Sequence, residues 1–187
     1  MGGLTASLAS RNPNKLRELA RALPGWELEL VDAGELPPEE GSTYYENARA
    51  KARFGRERGP AEAWMLGEDS GIEVAALGGG PGIRSARWAD DPVDALLEAL
   101  HGIAGDGRRA RYVCELVCVA ADGTETRGTG TLAGTIAREP RGSEGFGYDP
   151  IFVPEGETRT VAELGNAWKA GHSHRARAAR ALLEALG

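Results

Sequence analysis

The opening of the chain, residues 4–31, places the strongest limit on the fold. Leu4 to Ala9 alternates apolar and small polar residues, the two-residue period of a half-buried strand. SRNPNKLRELARAL follows. Asn12 is a capping residue, Pro13 suits the first helical position, and Leu16, Leu19 and Ala20 mark one apolar face. Pro24-Gly25 is a turn, and Trp26 to Val31 alternates again. Strand, loop, helix and strand in immediate succession predict an α/β layout.

The rest of the chain extends that pattern. Leu36 to Ser42 is an acidic, proline-bearing loop, and Thr43 to Glu46 has capping-box spacing ahead of a helix through Asn47, Lys51 and Phe54. Ala63 to Leu66 reads as a short strand running into a GEDSG turn, and Ile72 to Leu77 as a further strand. GGGPGIRSARW is too glycine-rich for regular structure, and Val93 to His101 is helical. Arg111 to Ala120 is the clearest strand, Asp122-Gly123 a hairpin turn, and Glu125 to Ile136 one or two more strands. REPRGSEGFGYDP is a loop, and Ser173 to Leu186 an alanine-rich amphipathic helix.

Length and composition narrow the class. The 187 residues fit one domain, or two lobes sharing a core, and 41% hydrophobic content suffices to build it. No apolar run is long enough to span a bilayer, and Met1 to Leu8 lacks the pattern of a secretory leader. Cys114 and Cys118 share a strand face but lie too far apart to bridge, so they read as buried free thiols in a reducing cytoplasm. The net charge of -6 speaks against polymeric nucleic acid and leaves room for a small phosphate ligand held through a divalent cation.

Five segments carry chemistry. SRNPNK, Ser10 to Lys15, joins a strand to a helix N-terminus and offers backbone N–H groups, side-chain donors and one ammonium, a combination suited to phosphate. It lacks Walker A spacing, and alone it also fits a capped helix with a solvated lysine. GEDSG sets Glu68 and Asp69 side by side at a strand end. Neighbours on a strand point to opposite faces, so one acid can hold Mg²⁺ while the other holds structure. PEEGSTYYENARAK supplies Glu39 and Glu40 before the helix, and its Lys51 lies too far from Glu46 to pair with it. GFGYDP places aromatic rings and Asp149 in a glycine-rich loop, fit for stacking on a base and accepting from a ring N–H. WKAGHSHRARA crowds Lys169, His172, His174 and Arg175 at the start of the last helix, where positive charge is unfavourable unless a ligand uses it.

Taken together and in order, SRNPNK, EEGSTYYENARAKAR, EDSG, GGGPGIRSARW, GFGYDP and K…SHR resemble the Ham1/RdgB-type inosine triphosphate pyrophosphatase family along nearly the whole chain. The resemblance implies a long curved mixed β-sheet flanked by helices, with two lobes around a central nucleotide-binding cleft in a single domain, residues 1–187. It implies Mg²⁺-dependent hydrolysis of non-standard purine triphosphates (ITP, dITP, XTP) to monophosphate and pyrophosphate by a cytoplasmic homodimer. Matched residue by residue, Asp69 looks like the proton acceptor and, with Glu39, the metal-binding pair. Ser10, Arg11, Asn12, Pro13, Asn14 and Lys15 look like the phosphate grip, and Lys51 and Ser70 like further substrate contacts. Phe146, Gly147, Tyr148 and Asp149 resemble the base-binding loop. Lys169, His174 and Arg175 resemble the residues that reach base and phosphates. The sequence departs from the family at Glu68, where an aspartate is usual, and at Glu40, which makes the metal approach more acidic. Two other readings are a nucleotide sensor without turnover and a Maf-type pyrophosphatase acting on pyrimidine nucleotides. The presence of both Glu39 and Asp69 argues against the first. The FGYDP and SHR segments argue against the second.

Overall fold

A computed structural model describes residues 4–32 and 34–187. Met1, Gly2, Gly3 and Ala33 lie outside the described residues, and with them part of the Met1 to Leu8 stretch read for a leader. The strands are β1 (Leu4–Leu8), β2 (Trp26–Leu30), β3 (Trp64–Val74), β4 (Arg109–Val119), β5 (Glu125–Ile136) and β6 (Phe152–Pro154). The helices are α1 (Pro13–Ala22), α2 (Tyr44–Arg58), α3 (Pro92–Ala99), α4 (Val161–His172) and α5 (His174–Leu186). The strands form one six-stranded sheet in the order β2-β1-β3-β4-β5-β6. β1 pairs in parallel with β2 and β3, and β5 pairs antiparallel with β6, so the sheet is mixed and the fold is α/β.

The chain divides into two compact units. The first holds the chain as far as Asp69, with Cys114–Gly130 and Arg175–Gly187. The second holds Ser70–Val113 and Thr131–His174. Unit 1 has one core of Leu8, Leu19, Leu66, Leu116 and Leu182 among others, and another of Ala48, Ala52, Met65 and Val117 with their neighbours. Unit 2 packs Ile72, Leu96, Leu100, Ile136, Tyr148, Ile151 and Phe152.

Several elements differ from the sequence reading. GEDSG is no turn: β3 runs unbroken from Trp64 to Val74. Its glycines serve close approach. A Cβ on Gly67 would stand 1.9 Å from the Ala48 carbonyl oxygen of α2, and one on Gly71 would stand 2.2 Å from the Gly82 carbonyl oxygen. GGGPGIRSARW contains a 3₁₀ turn at Gly82–Arg87, and a second, at Ala75–Leu77, takes the last residues of the stretch read as a strand from Ile72 to Leu77. Residues 161–172 form α4, which the sequence conceals because Gly165 interrupts it with φ +84. Lys169 and His172 therefore close α4, where the helix dipole favours positive charge, and only His174 and Arg175 open α5. The short strand β6 was likewise not legible in the sequence.

A buried ion-pair network ties unit 1 together. Glu68, on β3, has a fully buried side chain. Its Oε2 meets Lys15 Nζ of α1 at 2.6 Å, and its Oε1 accepts from Arg175 Nε of α5 at 2.9 Å. Arg175 Nη1 reaches back to Glu18 Oε2 of α1 at 3.1 Å. The Cys114 thiol of β4 lies 3.6 Å from Glu68 Oε1. Burial pushes the Glu68 carboxyl up, but the Lys15 and Arg175 charges outweigh it and hold it well below the usual carboxylate range.

Two predictions follow from these contacts. Gly67→Ala loses roughly 1–3 kcal/mol or more to overpacking against α2. Gly171→Ala, within α4 and with open space around the added Cβ, is neutral or gains up to about 1 kcal/mol. Thermal denaturation distinguishes the two. Glu68→Gln strands two buried cations and costs about 3–5 kcal/mol at neutral pH, read by urea unfolding. Because folding depresses the Glu68 pKa, its contribution is complete above the ordinary value of 4.5 and declines as pH falls below it. The stability gap between wild type and Glu68→Gln narrows on acidification.

Candidate active site

In unit 1 the loop between β1 and α1 is shaped by its own polar groups. Ser10 Oγ accepts from the Asn12 N–H at 3.1 Å, and Asn12 Oδ1 accepts from the Asn14 N–H at 2.9 Å as the α1 cap. Pro13 takes the first turn, where a missing N–H costs nothing. Arg11 Nη2 donates to the Gly34 carbonyl at 2.8 Å, and Asn14 Oδ1 accepts from Arg17. Lys15 stands one turn into α1 with most of its side chain covered and its ammonium on Glu68. Five residues, Ser10 to Asn14, thus shape the loop and the start of α1, and Lys15 brings its charge to Glu68 in the middle of β3.

The same unit brings two distant acids to one point. Lys51 of α2 reaches Asp69 Oδ1 at 3.2 Å, the Glu68 carbonyl oxygen at 3.2 Å, and the Glu39 carboxylate. Glu39 comes from the loop before α2 and is about a quarter exposed, whereas Asp69 is buried. One ammonium between two carboxylates leaves a net charge of minus one. Asn47, one helical turn before Lys51, locks the arrangement. Its Nδ2 donates to Asp69 Oδ2 at 3.0 Å while its Oδ1 accepts from the Gly41 N–H at 2.8 Å. A side chain at Gly41 would collide with that Asn47 oxygen, 2.6 Å from the added Cβ. Glu46 completes the capping box with Thr43, which frees Lys51 for the acids. Burial raises the Asp69 pKa, helped by Glu68 and Glu39, against the pull of Lys51 and Asn47. Burial lowers that of Lys51, but Asp69 and Glu39 more than restore it, so it stays cationic.

Unit 2 contributes the GFGYDP loop. Gly145 takes φ +83, and a Cβ there would meet Asp149 Oδ2 at 2.2 Å, so the residue lets the loop close on its own aspartate. Asp149 is buried and held by donors from separate parts of the unit. The Phe146 N–H donates to Oδ2 at 2.9 Å, Lys169 Nζ meets Oδ2 at 2.6 Å, and the Tyr112 hydroxyl donates to Oδ1 at 3.2 Å. The Lys169 ammonium sits 4.8 Å from the Phe146 ring centroid, within cation–π range, and that ring is half-buried. Gly147 also takes a positive φ of 61 and stands exposed. Tyr148 points the other way and donates to the Ser85 carbonyl at 3.1 Å. Ser70 is half-buried on β3. His174 stacks on Tyr112 with ring centroids 4.5 Å apart.

The structure therefore assembles Glu39, Lys51 and Asp69 in unit 1, with Lys15 and Arg175 on the adjoining Glu68, and Phe146, Asp149 and Lys169 in unit 2. Sequence reasoning missed Asn47 and Tyr112. Asn47 carried a signal, since it lies four residues before Lys51 on one helix face. Tyr112 carried none, because an aromatic residue in an apolar strand reads as core. Among the described residues no cluster of three or more His, Cys, Asp or Glu could hold a metal by itself. Glu39 and Asp69 form a two-carboxylate set, the kind Mg²⁺ accepts when phosphate oxygens and water complete its shell.

Comparison with known proteins identifies the family and the fold. The Ham1 family model matches residues 6–185. A dITP/XTP pyrophosphatase of Thermus thermophilus is 44% identical over 98% of this chain and 92% of its own length. One from Mycobacterium bovis is 46% identical over 96% and 93%. Among solved structures, a HAM1 protein from Coxiella burnetii superposes with a TM-score of 0.83 at 35% identity, covering 98% of each chain. A nucleoside-triphosphatase, named dITP/XTP pyrophosphatase, from Mycobacterium abscessus gives 0.74 at 41% identity, covering 98% of this chain and 100% of its own. On the match along nearly its full length and the shared fold, the chain belongs to the Ham1 family.

Proposed function

We infer that this protein hydrolyses non-standard purine nucleoside triphosphates, ITP, dITP and XTP, to the monophosphate and pyrophosphate, and so clears them from the nucleotide pool. The observation that carries the reading is the convergence of Glu39 and Asp69 on one ammonium, in a family whose curated relatives are dITP/XTP pyrophosphatases. Two hard carboxylates that already share a cation fit Mg²⁺, and Glu39 and Asp69 are the residues that would hold it. Bound there, Mg²⁺ supplies charge neutralisation along the triphosphate.

The chain's own groups account for the rest. Asp69 accepts the proton of the attacking water, and its raised pKa makes it a stronger base than an ordinary aspartate. Asn47 and Lys51 hold its two oxygens in place. Water adds to the α-phosphorus, the bond from that phosphorus to the bridging oxygen breaks, and pyrophosphate leaves with that oxygen. The β1–α1 loop and the N-terminus of α1 receive phosphate through N–H groups, and Lys15 adds its charge. Arg175 acts through Glu68, whose other oxygen holds Lys15.

Base selection falls to the second unit. Phe146 stacks on the purine, Asp149 accepts from a ring N–H, and Lys169 and His174 donate to the 6-keto oxygen. Adenine offers an amino donor at that position, and the mismatch costs roughly 1–3 kcal/mol, one to two decades of selectivity. Guanine shares the 6-keto group, so its rejection rests on the 2-amino group. We further read the protein as a cytoplasmic homodimer. Two buried free thiols suit a reducing compartment, and among the described residues no helix is long and apolar enough to cross a membrane.

Incubation of ITP with enzyme and Mg²⁺ yields pyrophosphate as the first product. Orthophosphate released with no pyrophosphate before it refutes attack at the α-phosphorus. Asp69→Asn lowers kcat by about 10²–10⁴-fold with an unchanged circular dichroism spectrum. In a panel of ITP, dITP, XTP, GTP, ATP, UTP and dTTP, the first three lead in kcat/KM. A lead by UTP or dTTP favours the pyrimidine-directed alternative.

A further inference from the structure

Tyr112 lies on β4 and is buried in the core of unit 2, with its ring tilted against Phe152 at 4.5 Å between centroids. As an apolar body it needs no hydroxyl there, and phenylalanine would fill the same volume. The hydroxyl nevertheless donates to Asp149 Oδ1 at 3.2 Å. The ring also lies nearly parallel to the His174 imidazole, 10° between planes and 4.5 Å between centroids. One side chain thus touches two of the residues assigned above to base recognition.

The donors around Asp149 are divided between its two oxygens. Lys169 and the Phe146 N–H hold Oδ2, and Tyr112 holds Oδ1. A carboxylate turns about its Cβ–Cγ bond, a broad and soft torsion, and each donor held in a fixed direction narrows that motion. The phenol on Oδ1, set apart from the donors on Oδ2, contributes to fixing the carboxylate plane.

We infer that Tyr112 is a specificity-positioning residue: by fixing the carboxylate plane of Asp149 and the ring plane of His174, it sets the preference for 6-keto purines over adenine. The inference deepens the proposed function and rests on its assignment of Asp149 and His174 to the base. The chemistry that discriminates is a proton. A 6-keto purine carries N1–H, a donor to an oriented carboxylate, whereas adenine presents a lone pair at N1 and is repelled by it. A carboxylate without a fixed plane welcomes the first less and repels the second less.

The test is Tyr112→Phe, which keeps the packing and the stack and removes one oxygen. kcat/KM for ITP and for ATP is measured in wild type, Tyr112→Phe, Asp149→Asn and the double variant. The expected result is a roughly tenfold fall for ITP, mostly in KM, with ATP changed less than about twofold, so that the ITP-to-ATP ratio drops by a similar factor. In the Asp149→Asn background the same substitution changes ITP turnover by less than about twofold, because its effect runs through Asp149. An unchanged ratio, an equal loss on both nucleotides, or an undiminished loss in the Asp149→Asn background marks a packing role and overturns the inference. A wild-type enzyme without preference for ITP over ATP overturns the base-recognition reading itself, and that result stands apart because no variant is involved.

Discussion

The carboxylate of Glu68 is the point on which unit 1 depends. It lies fully buried on β3 and balances an ammonium from α1 and a guanidinium from α5. A lone buried carboxylate would be protonated or expelled, and two lone buried cations would be worse. Together they form a charge-balanced set that also includes Glu18. The set fixes where Lys15 stands relative to β3, and so where the start of α1 presents its charge.

Asp69, the next residue, faces the other way along the strand and obeys a different rule. It is buried enough for its pKa to rise, yet Asn47 and Lys51 keep both oxygens engaged. Lys51 acts as an internal counter-ion between Asp69 and Glu39, two acids thirty residues apart in sequence that would otherwise repel each other. The two adjacent acids are therefore divided: one carboxylate joins Lys15 and Arg175 in the frame, and the other joins Asn47 and Lys51. Pleating alone accounts for that division.

The second unit solves a similar problem with neutral groups as well as charge. Asp149 is held by an ammonium, a backbone N–H and a phenol, each from a different part of the unit. The glycines of the GFGYDP loop matter chiefly at Gly145, which has no side chain where the Asp149 carboxylate must fold back. The kink at Gly165 has a related consequence: it lets α4 turn while keeping Lys169 in the last helical turn. Glu144 accepts from the Asn166 N–H at 2.9 Å and its amide at 2.8 Å just beyond that kink, satisfying donors that the bend exposes.

Local chemistry alone determined a good deal of this protein. The βα opening, the Asn12 and Thr43 caps, the hairpin at Asp122-Gly123 and the α/β class all follow from period, capping and turn preferences that act within a few residues. The order of the motifs also identified the family. Tertiary structure decided what local signals could not. Gly67 and Gly71 looked like turn residues because glycine marks both turns and close approach, and only the neighbouring backbones at Ala48 and Gly82 tell the two apart. The helix at residues 161–172 was hidden because Gly165 breaks the pattern while packing sustains the helix on either side. The meeting of Glu39 with Asp69, and of Tyr112 with Asp149, joins residues far apart in the chain. No periodicity encodes such a meeting, because it is fixed by how whole elements pack and by the electrostatic need to pair each buried charge.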